Sequence, residues 1–183
     1  IMLGLLESFN PGGSIKDRIW HYLIKDGEKR GKLKKGGTII EATGAGNTGI
    51  GLAIAANILG YKCILTLPDK VSEQKRNFLK ALGAKLIIAP TSIAPEDPRS
   101  YYRVADKLAR ETKNSYQPDQ YSNAANPKAH YETTGPHIWK ETNGQITHVI
   151  ITMGTGGTIS GIGKYLKKKN PQIKVIGVDH IGS

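Results

Sequence analysis

The chain has 183 residues, 26 Lys+Arg against 15 Asp+Glu for a formal charge of +11, 22 Gly, one Cys and a hydrophobic fraction of 38%. That length suits one ordinary domain core of about 150 residues, and a lone Cys63 excludes an internal disulfide and fits a reducing compartment. No apolar run approaches the ~20 residues that cross a membrane, and Ile1-Met2-Leu3-Gly4-Leu5-Leu6 reads as too short, and without the basic flank, for a signal peptide or anchor.

The charge raises nucleic acid as a partner, because clustered cations release counterions on meeting phosphates. Here the lysines are spread. The densest runs, Lys29 to Lys35 and Lys167-Lys168-Lys169, fall where helices end, and there they complement the helix dipole. Neither a nucleic-acid nor a membrane partner is expected.

From Thr38 onward short apolar runs alternate with amphipathic segments. Thr38 to Ala42 reads as a buried strand, followed by a helix over Gly49 to Leu59 that stops at Gly60. Cys63 to Pro68 is a second strand, and Ser72 caps a helix with Phe78, Leu79 and Leu82 on its apolar face, ended by Gly83. Lys85 to Pro90 is a third strand, the stretch from Ser92 to Arg99 a loop, and Arg99 to Thr112 a helix with Tyr101, Val104, Ala105 and Leu108 on one face. A polar, Asn-rich stretch from Gln117 to Pro127 leads to a helix near His130 to Glu141. The chain then runs as a strand over Thr147 to Thr152, a helix over Thr158 to Lys169 and a strand over Lys174 to Asp179. Strands separated by helical segments of about 10–15 residues imply βαβ units and a parallel sheet, with ligands at the carboxyl ends of the strands.

Three loops lie where such ligands bind. Gly44-x-Gly46-x-x-Gly49 joins a strand to a helix and matches the dinucleotide fingerprint, with Asp69 at the end of the next strand, about 20 residues on. A nicotinamide-dependent oxidoreductase is one reading of it, and under the other Asp69 is a turn residue. Gly154-Thr155-Gly156-Gly157-Thr158 also opens a helix, and its N–H groups and hydroxyls suit an anion, most simply a phosphate. Asn10-Pro11-Gly12-Gly13-Ser14-Ile15-Lys16-Asp17-Arg18 places Lys16 in the first turn of a helix, where the dipole disfavours a cation and so lowers an amine's pKa toward nucleophilic use. A phosphate loop, a polar Asn/Thr loop and such a lysine together suit a phosphorylated aldehyde held as a Schiff base, which describes pyridoxal phosphate. The five histidines offer no close pair of metal ligands, and no metal site is expected. Cys63 reads as a small buried hydrophobe.

The segments Asn10 to Arg18, Glu41 to Ala53, Gln120 to Pro127 and Gly154 to Gly161 resemble, in this order, the landmarks of the β-family (fold type II) of pyridoxal-phosphate enzymes, which contains cysteine synthase and cystathionine β-synthase. Asp97 to Tyr102, Asp119-Gln120-Tyr121 and Gly177 to Ser183 look closer to the cystathionine β-synthase branch. The resemblance implies an α/β fold of two subdomains with parallel-rich sheets. It divides the chain into 1–37 with the cofactor lysine, 38–127 as a small substrate-loop subdomain, and 128–183 as the start of the large-subdomain sheet. It also implies a partial catalytic core truncated at both ends, which by itself would expose sheet edges and aggregate.

Carried over residue by residue, the resemblance implies that Lys16 binds pyridoxal phosphate covalently and then moves the substrate's α-proton. Asn47 would hydrogen-bond the cofactor's ring hydroxyl, and Gly154, Thr155, Gly156, Gly157 and Thr158 would hold its phosphate. Thr43, Gly46, Thr48 and Gln120 would bind the substrate carboxylate. The implied reaction is β-replacement on serine or an O-activated serine by a thiol, in a cytoplasmic homodimer. The first loop departs from the family's usual Thr-Ser-Gly-Asn-Thr-Gly: Gly44-Ala45 stands in place of the serine, and this extra residue creates the dinucleotide-like pattern.

Overall fold

Ile39 and Ile40, adjacent in sequence, serve opposite faces of one sheet, as the pleat of a strand requires. The computed structural model describes residues 1–181, so Gly182 and Ser183, the end of the segment begun at Gly177, lie outside the described residues. Strands β1 (Thr38–Ala42), β2 (Lys62–Pro68), β3 (Lys85–Ala89) and β4 (Ser115–Tyr116) are all parallel, in the order β3-β2-β1-β4. On one face Ile39, Cys63, Leu65 and Leu67 pack with Ile24 of α1 (Trp20–Lys29), with the Leu52 to Ala56 stretch of α2 (Asn47–Leu59), and with Leu79 of α3 (Glu73–Ala81). On the other, Ile40, Ala42 and Ile64 meet Tyr101, Ala105 and Leu108 of α4 (Tyr101–Glu111). Burial on both sides explains why β1 is apolar apart from Thr38 at its start and Glu41, which is 1% exposed. The Glu41 carboxylate is not left bare: its Oε2 accepts the backbone N–H of Asp119 at 2.8 Å.

The chain divides into two compact units, Glu7–Asp119 and Ile1–Leu6 with Gln120–Ser183. The passage between them falls inside the polar stretch 117–127. Residues 7–37 share a unit with the sheet. Gly27 of α1 explains the join: a Cβ there would lie 2.6 Å from the Tyr116 ring, so only glycine lets α1 and β4 come together.

In the second unit β5 (His148–Thr152) and β6 (Lys174–Val178) pair in parallel, and Ile151, Ile162, Leu166 and Ile173 form a small core with α6 (Gly135–Glu141) and α7 (Gly157–Lys169). The strands leave Ile150, Ile176 and Val178 exposed. The helix expected from His130 begins earlier, as α5 (Ala125–Ala129), and continues through a π-helical turn over His130–Thr134 into α6. Pro136 supplies the physical reason, since it has no N–H to give the carbonyl four residues back and the ladder must change register around it.

Two further elements differ from expectation. Lys16 sits in a short 3-10 turn, Ile15–Arg18, rather than in the first turn of an α-helix, and α1 begins separately at Trp20. The two-residue β4 is too short for any periodicity to announce, and its pairing with Thr38 and Ile39 defines it.

Candidate active site

The lysine turn is braced on several sides. Ser14 caps it, accepting the backbone N–H of Lys16 at 3.2 Å. Arg18 grips Glu7 through Nε and Nη2 at 2.7–3.0 Å, with only 21% and 14% of the two side chains exposed, and the same Glu7 accepts from Asn10 Nδ2 at 2.5 Å. Gly12 donates to Asp17 Oδ2 at 2.6 Å. The turn packs on α2, where a Cβ on Gly51 would stand 3.3 Å from the Lys16 carbonyl. Burial lowers the pKa of the Lys16 amine, and burial likewise raises that of the neighbouring Asp17 carboxyl. The expected direction for Lys16 holds, but its cause is desolvation rather than a long helix dipole.

The two glycine loops prove to be built alike. Gly46 at φ 82°, ψ −13° precedes α2, and Gly156 at φ 78°, ψ −11° precedes α7. Each is a left-handed N-cap that a residue with a Cβ would strain to adopt. Each leads a 13-residue helix whose glycine N-cap has no side chain to cap it, the arrangement in which a helix mouth can receive an anion, and at α7 the Gly157 N–H makes one long contact, to Thr155 Oγ1 at 3.4 Å.

Around the first loop Thr43 and Thr48 are buried, and Gly46 and Asn47 stand at the mouth of α2. Gly49 packs against the sheet: a Cβ there would come 2.8 Å from Leu65 Cδ1 and 3.0 Å from Thr43 Cγ2. That close helix-to-strand approach is what the third glycine of the dinucleotide pattern also serves, which accounts for the coincidence. Asp69 behaves as a turn residue, its Oδ1 accepting the backbone N–H and the hydroxyl of Thr91.

Gly154, Thr155, Gly156, Gly157 and Thr158 lie together in the other unit, which also holds Gln120. A Cβ on Gly154 or Gly156 would meet nothing within 4 Å, so the loop borders open space. Behind it, Asn126 Nδ2 donates to Thr155 Oγ1 at 3.0 Å and to the Gln120 carbonyl at 2.9 Å. His130, fully buried, spans Thr158 Oγ1 at 3.2 Å and Thr134 Oγ1 at 2.9 Å. Sequence alone assigns no role to Asn126 or His130. The signal for Asn126 was its place inside the Gln120 to Pro127 landmark, while His130 is identified only by the fold.

Lys16, Thr43, Gly46, Asn47 and Thr48 thus share one unit, and Gln120 and the Gly154 to Thr158 loop share the other. A family model for pyridoxal-phosphate dependent enzymes matches residues 4–183. Cystathionine beta-synthase of Apis mellifera is 52% identical over 177 residues, 97% of this chain and 35% of its own length. Cysteine synthase B of Pseudomonas aeruginosa is 46% identical over 177 residues, 97% of this chain and 58% of its own. Among solved structures, the O-acetylserine dependent cystathionine beta-synthase of Helicobacter pylori superposes with a TM-score of 0.86 at 43% identity, over 93% of this chain and 55% of that one. The chain spans about a third of the length of the cystathionine beta-synthases it matches.

The residues present fit a phosphorylated aldehyde. The open, glycine-lined cradle before α7 offers N–H donors to a phosphate, and the desolvated Lys16 amine suits bonding to a carbonyl carbon.

Proposed function

The chain belongs to the family of pyridoxal-phosphate dependent enzymes, and from that premise we propose that its protein catalyses β-replacement on L-serine or an O-activated serine by a thiol, specifically serine with homocysteine to give cystathionine. The observation that carries the reading is Lys16, a lysine braced in a tight turn whose amine is shifted by burial toward its neutral form. The identity to cystathionine beta-synthases over nearly the whole chain supports the choice of substrates.

Pyridoxal phosphate, when bound, supplies an electron sink for cleavage at the substrate's α-carbon. The chain's own residues do the rest. Lys16 Nζ, neutral in a larger fraction than a solvated lysine, would hold the cofactor through its aldehyde carbon and, once the substrate's amine has displaced it there, would be free to take the α-proton. Gly154 to Thr158 hold the phosphate with backbone N–H groups and hydroxyls, while Asn126 and His130 fix the two threonines. Asn47 hydrogen-bonds the ring hydroxyl. The mouth of α2, with Thr43, Gly46 and Thr48, and Gln120 bind the carboxylate, which orients the α-C–H bond and excludes water. The division into 1–37, 38–127 and 128–183, a homodimer and a cytoplasmic location belong to the same proposal.

A second reading, O-acetylserine with sulfide to give cysteine, is supported by the identity to a cysteine synthase and by a structural relative that uses O-acetylserine. Steady-state assays of the full-length protein with both substrate pairs decide between them. A higher kcat/KM for serine with homocysteine supports the first, the reverse order supports the second, and turnover of neither sinks both.

A further inference from the structure

Lys75, which the first loop's sequence gives no reason to notice, reaches across from α3 to that loop. Its Nζ donates to the Ala45 carbonyl at 2.9 Å and to Asn47 Oδ1 at 3.0 Å. Its stem lies over Gly46, where a Cβ would be 3.7 Å from Lys75 Cδ. The helix that carries it is itself anchored: Ser72 caps α3 by accepting the Lys75 backbone N–H, and Leu79, one turn on, is fully buried in the core against the sheet. One side chain therefore bonds the two residues on either side of Gly46, including Ala45 of the pair that lengthens the loop.

The chemistry of the contact fixes more than position. An ammonium has three donors and no acceptor, so the atom of Asn47 facing Lys75 must be the carbonyl oxygen. The opposite edge of the amide is then Nδ2, a donor. Without the lysine an asparagine amide at an open loop can turn over and present either edge. We propose that Lys75 is a positioning residue that sets the polarity of Asn47, so that the group offered to the cofactor's ring oxygen is always an N–H, and that it ties the lengthened loop to α3. This rests on the reading of Asn47 given under the proposed function.

The test uses the full-length holoenzyme with Lys75→Met, Lys75→Arg and Lys75→Glu. The readouts are the visible absorption band of the bound cofactor with its pH profile, the dissociation constant of pyridoxal phosphate from the apoenzyme, and the thermal midpoint as a control. Lys75→Met is expected to shift the band and weaken cofactor binding by about tenfold, the scale of one hydrogen bond to a charged group. Lys75→Arg keeps a cationic donor and restores most of the loss. Lys75→Glu loses more than Met, because a carboxylate attracts Nδ2 and turns Oδ1 toward the ligand. A wild-type band that Lys75→Met leaves unmoved, or an arginine variant no better than methionine, overturns the inference alone. A wild-type holoprotein with no cofactor band overturns the proposed function and this inference with it.

Discussion

Asn126 donates through Nδ2 to Thr155 Oγ1 at 3.0 Å, while its Oδ1 is packed so close to Gly157 that a Cβ there would stand 2.2 Å away. One buried amide therefore sets both a hydroxyl of the anion loop and the closeness of the first turn of α7. Asn126→Ala is expected to weaken pyridoxal phosphate binding by about 1–2 kcal/mol, the cost of a lost buried hydrogen bond. Asn126→Asp should do worse, because it places a carboxylate beside an anion site. Equilibrium titration of the apoenzyme measures both, and unchanged affinity in the alanine variant contradicts the role.

The same loop separates folding from binding. Gly157→Ala forces a methyl group into the buried Asn126 side chain and should destabilise by about 1–3 kcal/mol, as overpacking does. Gly154→Ala meets nothing within 4 Å and should leave stability within about 0.5 kcal/mol of wild type while it narrows the space offered to a phosphate. Thermal unfolding read beside cofactor titration distinguishes them. Equal effects of the two substitutions on stability would count against this division.

Cys63 provides a probe of the sheet core. It is 6% exposed, and burial, reinforced by the charge of Glu41, pushes its thiol pKa up to about 12. At pH 8 the native protein should not react with a thiol reagent, and denaturant should release one equivalent. Immediate reaction without denaturant would place Cys63 outside the core.

The outer face of β5 and β6 supplies another test. Ile150, Ile176 and Val178 are 66%, 41% and 46% exposed, a patch of apolar side chains on an open sheet. The 183-residue chain expressed by itself is expected to bind a hydrophobic dye and to self-associate. A monodisperse chain with no dye binding is the contrary outcome.

Much of this architecture was readable from the residues, and the failures have definite causes. Strands β1, β2, β3, β5 and β6 are legible as apolar runs, which burial explains for β1 and β2 but not for β6, where no residue is buried, and Gly60 and Gly83 mark helix ends because both adopt positive φ. The π-helical turn has no local sequence signature, because its cause, Pro136, acts on the carbonyl four residues back rather than at its own position. The short strand β4 is defined by its partner Thr38, far away in sequence. In the candidate site, the loops were legible because positive-φ glycines and helix mouths leave local signatures. The side chains that hold them were not: Lys75 lies 28 residues from Asn47, and His130 the same distance from Thr158, so only the folded chain joins them.

The central claim is that Lys16 carries the cofactor. Borohydride reduction of the full-length holoenzyme followed by peptide mapping tests it most directly. The account predicts a visible cofactor band before reduction and a single pyridoxyl adduct on Lys16, absent in Lys16→Ala. An adduct on a different lysine, or no adduct in the wild-type protein, would contradict it.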